Sequence, residues 1–410
     1  MASQRKPHTI KRFVWRHIAR PLLRRISPQL EAAVRQTVAP SASAVRDYRL
    51  ELAKAERYEY GSYTPGVKEW GEKWESRSGR RVLLYAYRDY SGSFYNTAEA
   101  LNRHSDFAAR LIVFARHPYG YDLDLVMPNP RVLQSGLSDL LHEADIIHIK
   151  DETGFFTGSN LLPKDMLTKA EKPMVFTHYG GYARAFEQNT AYRSYVRSFP
   201  AVVAMTPDLV FEWLSAEYIP HPIDTDRFPY SWTDGRVLAH SPSTASRKGT
   251  AELLQALEGL DIELDLIQNV SHSECMARKA RCNVFFDQAG HESRRDLGTT
   301  AVIGWYGNSA LEAAVHGIPT IAHLSEEAFR GADRAGRPEV RTKCMILNTA
   351  PGVEGIRRTL SRYLELSPEE RRHLSERTRT WIETFHSYQA VGERLSNLYN
   401  RVLNQGKGSD

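Results

Sequence analysis

Glu312, one turn into a helix behind a glycine-bearing loop, is the group in this sequence best placed by type and spacing to do specific chemistry. It lies in Ile303-Gly304-Trp305-Tyr306-Gly307-Asn308-Ser309-Ala310-Leu311-Glu312-Ala313-Ala314-Val315-His316-Gly317-Ile318-Pro319. A carboxylate there cannot bind phosphate, but it can accept two hydroxyl hydrogen bonds, as from a ribose. The loop ahead of it supplies the complementary chemistry. Gly304 and Gly307 permit unusual backbone angles and close approach of another molecule, and the unpaired N–H groups about Asn308 and Ser309 suit a phosphate. A packing helix with an exposed glutamate is the plainer alternative. A second candidate is Lys248 in Ser241-Pro242-Ser243-Thr244-Ala245-Ser246-Arg247-Lys248-Gly249-Thr250, with Arg247 beside it. A lysine opening a helix can neutralise a diphosphate as it departs.

The elements that must position these groups are those of an α/β protein. Leu311, Ala314 and Val315 keep a helical spacing, Gly317 ends that helix, and Pro-Thr-Ile-Ala starts a strand. Apolar runs predict further strands at 81–87, 109–114, 146–149, 174–177, 202–205, 237–240, 262–270 and 283–287, separated by helix-compatible stretches. Thr206 is expected to cap a helix from Pro207 to about Ala216. Ligands of open parallel sheets gather at the carboxyl ends of strands. Asp151 and Glu152 stand there as weak acceptor-side candidates, and so does His178, whose imidazole could hydrogen-bond a sugar hydroxyl. The small-residue loop with Gly92 and Ser93 follows the first strand.

The pattern G-x-x-G-x-x-x-x-E-A-x-x-x-G-x-P resembles the nucleotide-sugar site of glycosyltransferase family 4 and its relatives, and Ile-Gly-Trp-Tyr-Gly is similar to a bacterial subgroup of them. The resemblance spans about residues 81–403. It implies the GT-B fold: α/β, two doubly wound Rossmann-like domains facing a cleft, here with an extra N-terminal helical region. The expected domains are 1–80, a basic extension; 81–220, the acceptor domain; 221–380, the nucleotide-sugar donor domain; and 381–410, a helix returning to brace the acceptor domain. The implied activity is retaining, metal-independent transfer from a nucleoside-diphosphate sugar, with no cofactor. Glu312 would bind the donor ribose, Lys248 would stabilise the leaving diphosphate, and Gly92 and Ser93 would face the phosphates across the cleft. Val270 and Ser271 would meet the base, and His178 the acceptor and sugar side. Two positions depart from the family pattern. Pro242 replaces an arginine, for which Arg247 is the available substitute, and Gly304 replaces a glutamate that touches the donor sugar. Residues 289–302 look inserted and read as a solvated loop.

Charge placement narrows the partners. Residues 1–30 carry eight Lys and Arg and no acid, so a chain of net charge +5 leaves −3 on everything else. Such a body does not advertise a duplex-binding face, and nucleic acid is a minority expectation resting on the tail alone. In the tail Ile10, Val14, Ile18, Leu22 and Ile26 follow one helical face with Trp15, while Arg12, Arg16, Arg20 and Arg24 follow another. Residues 9–26 therefore suit either the interface of an anionic membrane or docking on the body. No run of eighteen apolar residues occurs, the basic N-terminus lacks a signal-peptide core, and Cys275, Cys282 and Cys344 form no disulfide framework. A cytoplasmic enzyme, peripheral on a membrane through its tail and acting on a glycan or lipid-linked acceptor, is the expectation. The substituted Pro242 and Gly304 keep a non-catalytic binding protein of the same fold in view.

Overall fold

The computed structural model describes residues 67–76, 79–126, 134–150, 170–294 and 299–405. The chain divides after Tyr58, and all described residues belong to the second part. The amphipathic tail, Asp151 and Glu152 lie outside the described residues.

Helix α1 (Val67–Glu75) leads into β1 (Arg80–Arg88), α2 (Ser93–His104), β2 (Phe107–Ala115), β3 (Leu125–Val126), α3 (Gln134–Glu143) and β4 (Ile146–Lys150). Then come β5 (Met174–His178), α4 (Gly180–Ala185), α5 (Thr190–Arg197), β6 (Ala201–Ala204) and β7 (Glu217–Tyr218). Their sheet has the order β3-β2-β1-β4-β5-β6-β7 with every neighbour parallel. Val82 to Ala86 are fully buried, as a strand covered by helices on both faces must be, which is why the strand reads as an unbroken apolar run.

The second sheet is built from β8 (Val237–His240), α6 (Ala245–Lys248), α7 (Thr250–Leu257), β9 (Glu263–Leu266), α8 (His272–Lys279) and β10 (Val284–Gln288). A hairpin of β11 (His291–Arg294) and β12 (Thr299–Val302) follows, then α9 (Asn308–Ala314), β13 (Thr320–Ala322), α10 (Glu326–Arg334) and β14 (Leu347–Asn348). The order is β14-β13-β10-β8-β9, again parallel. Each sheet reverses its strand order at one place, between β1 and β4 and between β8 and β10. Doubly wound sheets bind ligands in the crevice at such a switch point.

Three expectations change. The stretch after β6 is one short turn, Pro207–Leu209, and not a helix to Ala216; Leu209, Val210, Phe211 and Leu214 are all buried, a clustering that no single helical stripe would serve. Strand β9 stops at Leu266 because Ile267 gives its N–H to His240 and Asn269 turns the chain at φ +56°. The inserted segment read as a solvated loop contains the antiparallel hairpin.

At the C-terminus α11 (Pro368–Phe385) starts at a Ser367/Glu370 capping box, and α12 (Tyr388–Gln405) lies on α2 of the first sheet. A Cβ placed on Gly392 would sit 2.6 Å from the Ala100 carbonyl oxygen, so the two helices meet through a residue without a side chain. Tyr399 OH meets His148 Nδ1 at 2.6 Å, joining α12 to β4. Among the described residues, no helix is long and apolar enough to cross a membrane.

Candidate functional site

The two switch points face one cleft of about 640 Å³, within the range of small-molecule sites. From the second sheet it is lined by Ser241 after β8, by Arg247 and Lys248 of α6, by Val270 and His272, and by Gly307 to Ser309 with Glu312. From the first sheet come Tyr90 and Ser91 after β1, His117, Tyr119 and Tyr121 after β2, and Tyr179 after β5.

Glu312 is 8% exposed, and both of its oxygens are engaged. Lys279 Nζ donates to Oε2 at 2.5 Å, and His272 Nε2 stands 2.9 Å from Oε1. Burial pushes this carboxyl up, but the Lys279 charge and the His272 hydrogen bond outweigh burial and bring it down to about 2. The same lysine donates to Ser309 Oγ at 2.8 Å, and Ser309 Oγ meets Ser241 Oγ at 2.7 Å, so one buried cation ties the loop after β8 to α9. Each carboxylate oxygen has two lone pairs, which leaves Glu312 acceptor capacity for two hydroxyls.

Lys248 Nζ donates to Asp287 Oδ1 at 2.8 Å, and the Gly307 N–H donates to Asp287 Oδ2 at 2.7 Å. The loop glycines differ from expectation in their reason. Gly307 has an extended φ of −103° and Gly304 shows no left-handed angle; what each supplies is room. A side chain on Gly304 would collide with Ser325, and one on Gly307 would come 3.5 Å from Lys248 Nζ. Gly317, which ends the helix, does adopt φ +79°.

Contacts across the cleft are specific. Asn308 Nδ2 donates to the Ser91 carbonyl at 3.1 Å, and the His272 N–H donates to the Tyr119 carbonyl at 2.8 Å. The Tyr121 ring lies 4.2 Å from the His272 ring, centroid to centroid. Tyr306 of the glycine-bearing loop is pinned from behind, its OH 3.1 Å from His386 Nε2.

Several sequence candidates stand elsewhere. His178 does not line the cleft: as the last residue of β5 it is fully buried, donating from Nδ1 to the Leu209 carbonyl at 3.0 Å, with no partner at Nε2 among the described residues. Burial lowers its pKa to about 4. Ser93 is fully buried against Asp89 and Lys150, and Gly92, at φ +61°, packs on Tyr121, so Tyr90 and Ser91 are the members of that loop that reach the cleft. Asp89 shapes the loop by accepting the N–H groups of Phe94 and Tyr95 at 3.0 and 2.9 Å. Ser271 caps α8 by accepting from the Glu274 N–H, while its neighbour Val270 is in the cleft wall. Gly304 lies in an adjoining cavity of about 550 Å³.

The residues missed are His272, Lys279, Asp287, Tyr119 and Tyr121. Tyr119 and Tyr121 follow β2, so inspection of the carboxyl end of that strand would have found them. Lys279 carries no local motif and Asp287 only the Asp287-Gln288 strand end that resembles the bacterial subgroup, and their roles depend on partners 33 and 39 positions away along the chain.

No protein-family model and no curated protein matches the chain. Solved structures do match it in fold. One is an α-glucosyltransferase in complex with UDP and a 13-mer DNA containing an HMU base, with TM-score 0.56 and 9% identity over 79% of this chain and 100% of that one. Another is Anabaena HepE in complex with UDP and glucose, with TM-score 0.53 and 11% identity over 78% of this chain and 99% of that one. A third is the N-terminal domain of Candida albicans trehalose-6-phosphate phosphatase, with TM-score 0.51 and 12% identity over 80% and 97%. At these identities the likeness concerns architecture, and two parallel α/β sheets opening on a common cleft are that architecture. The described body has the GT-B fold of glycosyltransferases.

Proposed function

We propose that this protein transfers a sugar from a nucleoside-diphosphate donor, with UDP as its nucleotide, to a glycan or lipid-linked acceptor. The observation that carries the reading is one cleft holding both an ionised Glu312, with acceptor capacity for ribose hydroxyls, and the Lys248 ammonium at the end of α6. Fold neighbours seen with UDP support the choice of base. Lysine charge and loop amides would stabilise the diphosphate as the glycosidic bond breaks, without recourse to a metal, and the family resemblance favours retention of configuration. Incubation with a panel of UDP- and GDP-sugars, with release of the nucleotide as readout, tests the reading. Full occupancy by UDP without turnover of any donor would leave a binding protein.

The neighbouring cavity bears on the acceptor. It shares Arg184 with the main cleft, and Glu187, Asp208, Glu212 and Glu327 outnumber Arg184 and Arg193 on its walls. Carboxylates recognise sugar hydroxyls and repel a phosphodiester backbone, so this lining favours a glycan over nucleic acid. The basic tail would bring the enzyme to an anionic membrane carrying the acceptor. Removing residues 1–30 is expected to abolish co-sedimentation with phosphatidylglycerol vesicles and leave UDP binding intact. Salt-dependent retention on DNA, lost with the same deletion, would instead favour the nucleic-acid acceptor.

A further inference from the structure

We infer that Asp287 is the positioning residue for Lys248, holding the ammonium at a set place on the donor loop; the inference rests on the nucleotide-sugar reading of the cleft. Asp287 is the penultimate residue of β10, at the switch point of the second sheet, and its side chain is 1% exposed. Its two partners, Lys248 and Gly307, form the cleft wall, and its carboxylate lies behind them. A cleft-lining ammonium and a loop amide are thus fastened to one rigid strand.

The geometry explains why such a fastening is needed. Lys248 ends a helix of only four residues, after which Gly249 turns the chain at φ +75°. Its four-carbon arm would otherwise sample many rotamers, and a mobile charge stabilises a leaving group less than a fixed one. An ammonium has three N–H donors; the bond to Asp287 takes one and leaves two for a ligand. The other cleft carboxylate, Glu312, is already held by Lys279 and His272, so Asp287 is the counter-charge that serves Lys248. An isolated structural ion pair would not also grip the loop amide at Gly307, 2.7 Å from the second oxygen.

The test uses the full chain with UDP, followed by calorimetry and by the phosphorus resonances of the bound nucleotide. Asp287→Asn keeps the shape and removes the charge. Its UDP affinity is expected to stay within about threefold of the parent, while the β-phosphorus resonance moves toward its position in Lys248→Ala. Adding Asp287→Asn to Lys248→Ala is expected to change the affinity and the resonance no further, within about twofold, because the residue acts through the lysine. Asp287→Glu, which retains charge on a longer arm, should also displace the β-phosphorus signal and serves if the asparagine variant does not fold. Additive effects of the two substitutions, or an unmoved resonance in both Asp287 variants, would overturn the inference. So would tighter UDP binding by about tenfold in Asp287→Asn, which would make the carboxylate a competitor of the phosphate. A parent protein that binds neither UDP nor GDP would remove the nucleotide-sugar reading itself, and this inference with it, a result distinct from the others.

Discussion

Glu312 and Lys279 form a buried pair in the cleft wall, which on the proposed function would serve both folding and recognition. Lys279 has no exposed side-chain surface, so its charge depends on the carboxylate 2.5 Å away. Glu312→Gln should weaken UDP binding by about 1–3 kcal/mol, the scale of a charged hydrogen bond. It should also cost stability, about 3–5 kcal/mol, because an uncompensated cation is left in the interior. Combining it with Lys279→Met should restore much of the stability but not the binding, and urea unfolding beside calorimetry separates the two. Lys248→Ala should behave differently, lowering turnover more than donor affinity, since leaving-group charge is greatest in the transition state. An equal loss in both would mean that the lysine binds donor and transition state alike.

At the scale of elements, the site depends on loops held from outside the cleft. The glycine-bearing loop before α9 is anchored through Tyr306 to His386, whose Nδ1 donates to the His221 carbonyl at 2.8 Å, at the junction of α11 and α12. Helix α12 in turn seats on α2 where Gly392 meets Ala100. Gly392→Leu should force the helices apart and destabilise the protein by about 1–3 kcal/mol or more, the cost of overpacking. Limited proteolysis should then release the C-terminal helix earlier than in the parent; an unchanged digestion pattern and melting temperature would show that the contact can yield. The central strands of both sheets could be read because burial demands continuous apolar runs, whereas the two-residue edge strands β3, β7 and β14 are too short to carry one. The segment after β6 could not, because its apolar residues are buried by α10, where Arg334 donates to the Val210 carbonyl, and not by a stripe of its own.

At the scale of the whole molecule, buried histidines among the described residues, His148, His178, His221, His240 and His386 among them, shape the response to acid. Burial lowers His148 to about 3 and His178, His240 and His386 to about 4. Each is neutral in the folded protein, whereas the unfolded chain takes up a proton near the ordinary histidine value. The unfolded state therefore binds more protons as pH falls from about 6.5 toward 4, and stability declines over that window at about 3 kcal/mol per histidine when complete. Several such terms approach the total stability of a typical domain, about 5–15 kcal/mol. Urea midpoints measured from pH 7.5 to 4.5 should fall steeply below 6.5. A flat profile would mean that these rings are protonated in the folded state. Glu312 acts in the same direction over a lower window: held near 2, it contributes stability that is present above the ordinary carboxylate value, declines as pH falls below that value and is gone below about 2.

The α/β class and the succession of its main strands and helices were determined by the sequence itself, through periodicity and glycine placement. That Glu312, Lys248, Asn308 and Ser309 belong together was implied by the family resemblance, and all four line one cleft. Tertiary structure decided which neighbouring side chain reaches the cleft: Ser91 and not Ser93, Val270 and not Ser271, Tyr179 and not His178. Adjacent residues in a strand or turn point in different directions, so that choice turns on the register of a fold whose partners are far away in sequence. It also decided the charge balance of the site, because Asp287 and Lys279 act through contacts across 39 and 33 residues. Such pairs have no local pattern; they exist only once the switch point of the second sheet has brought β10, α6, α8 and α9 together.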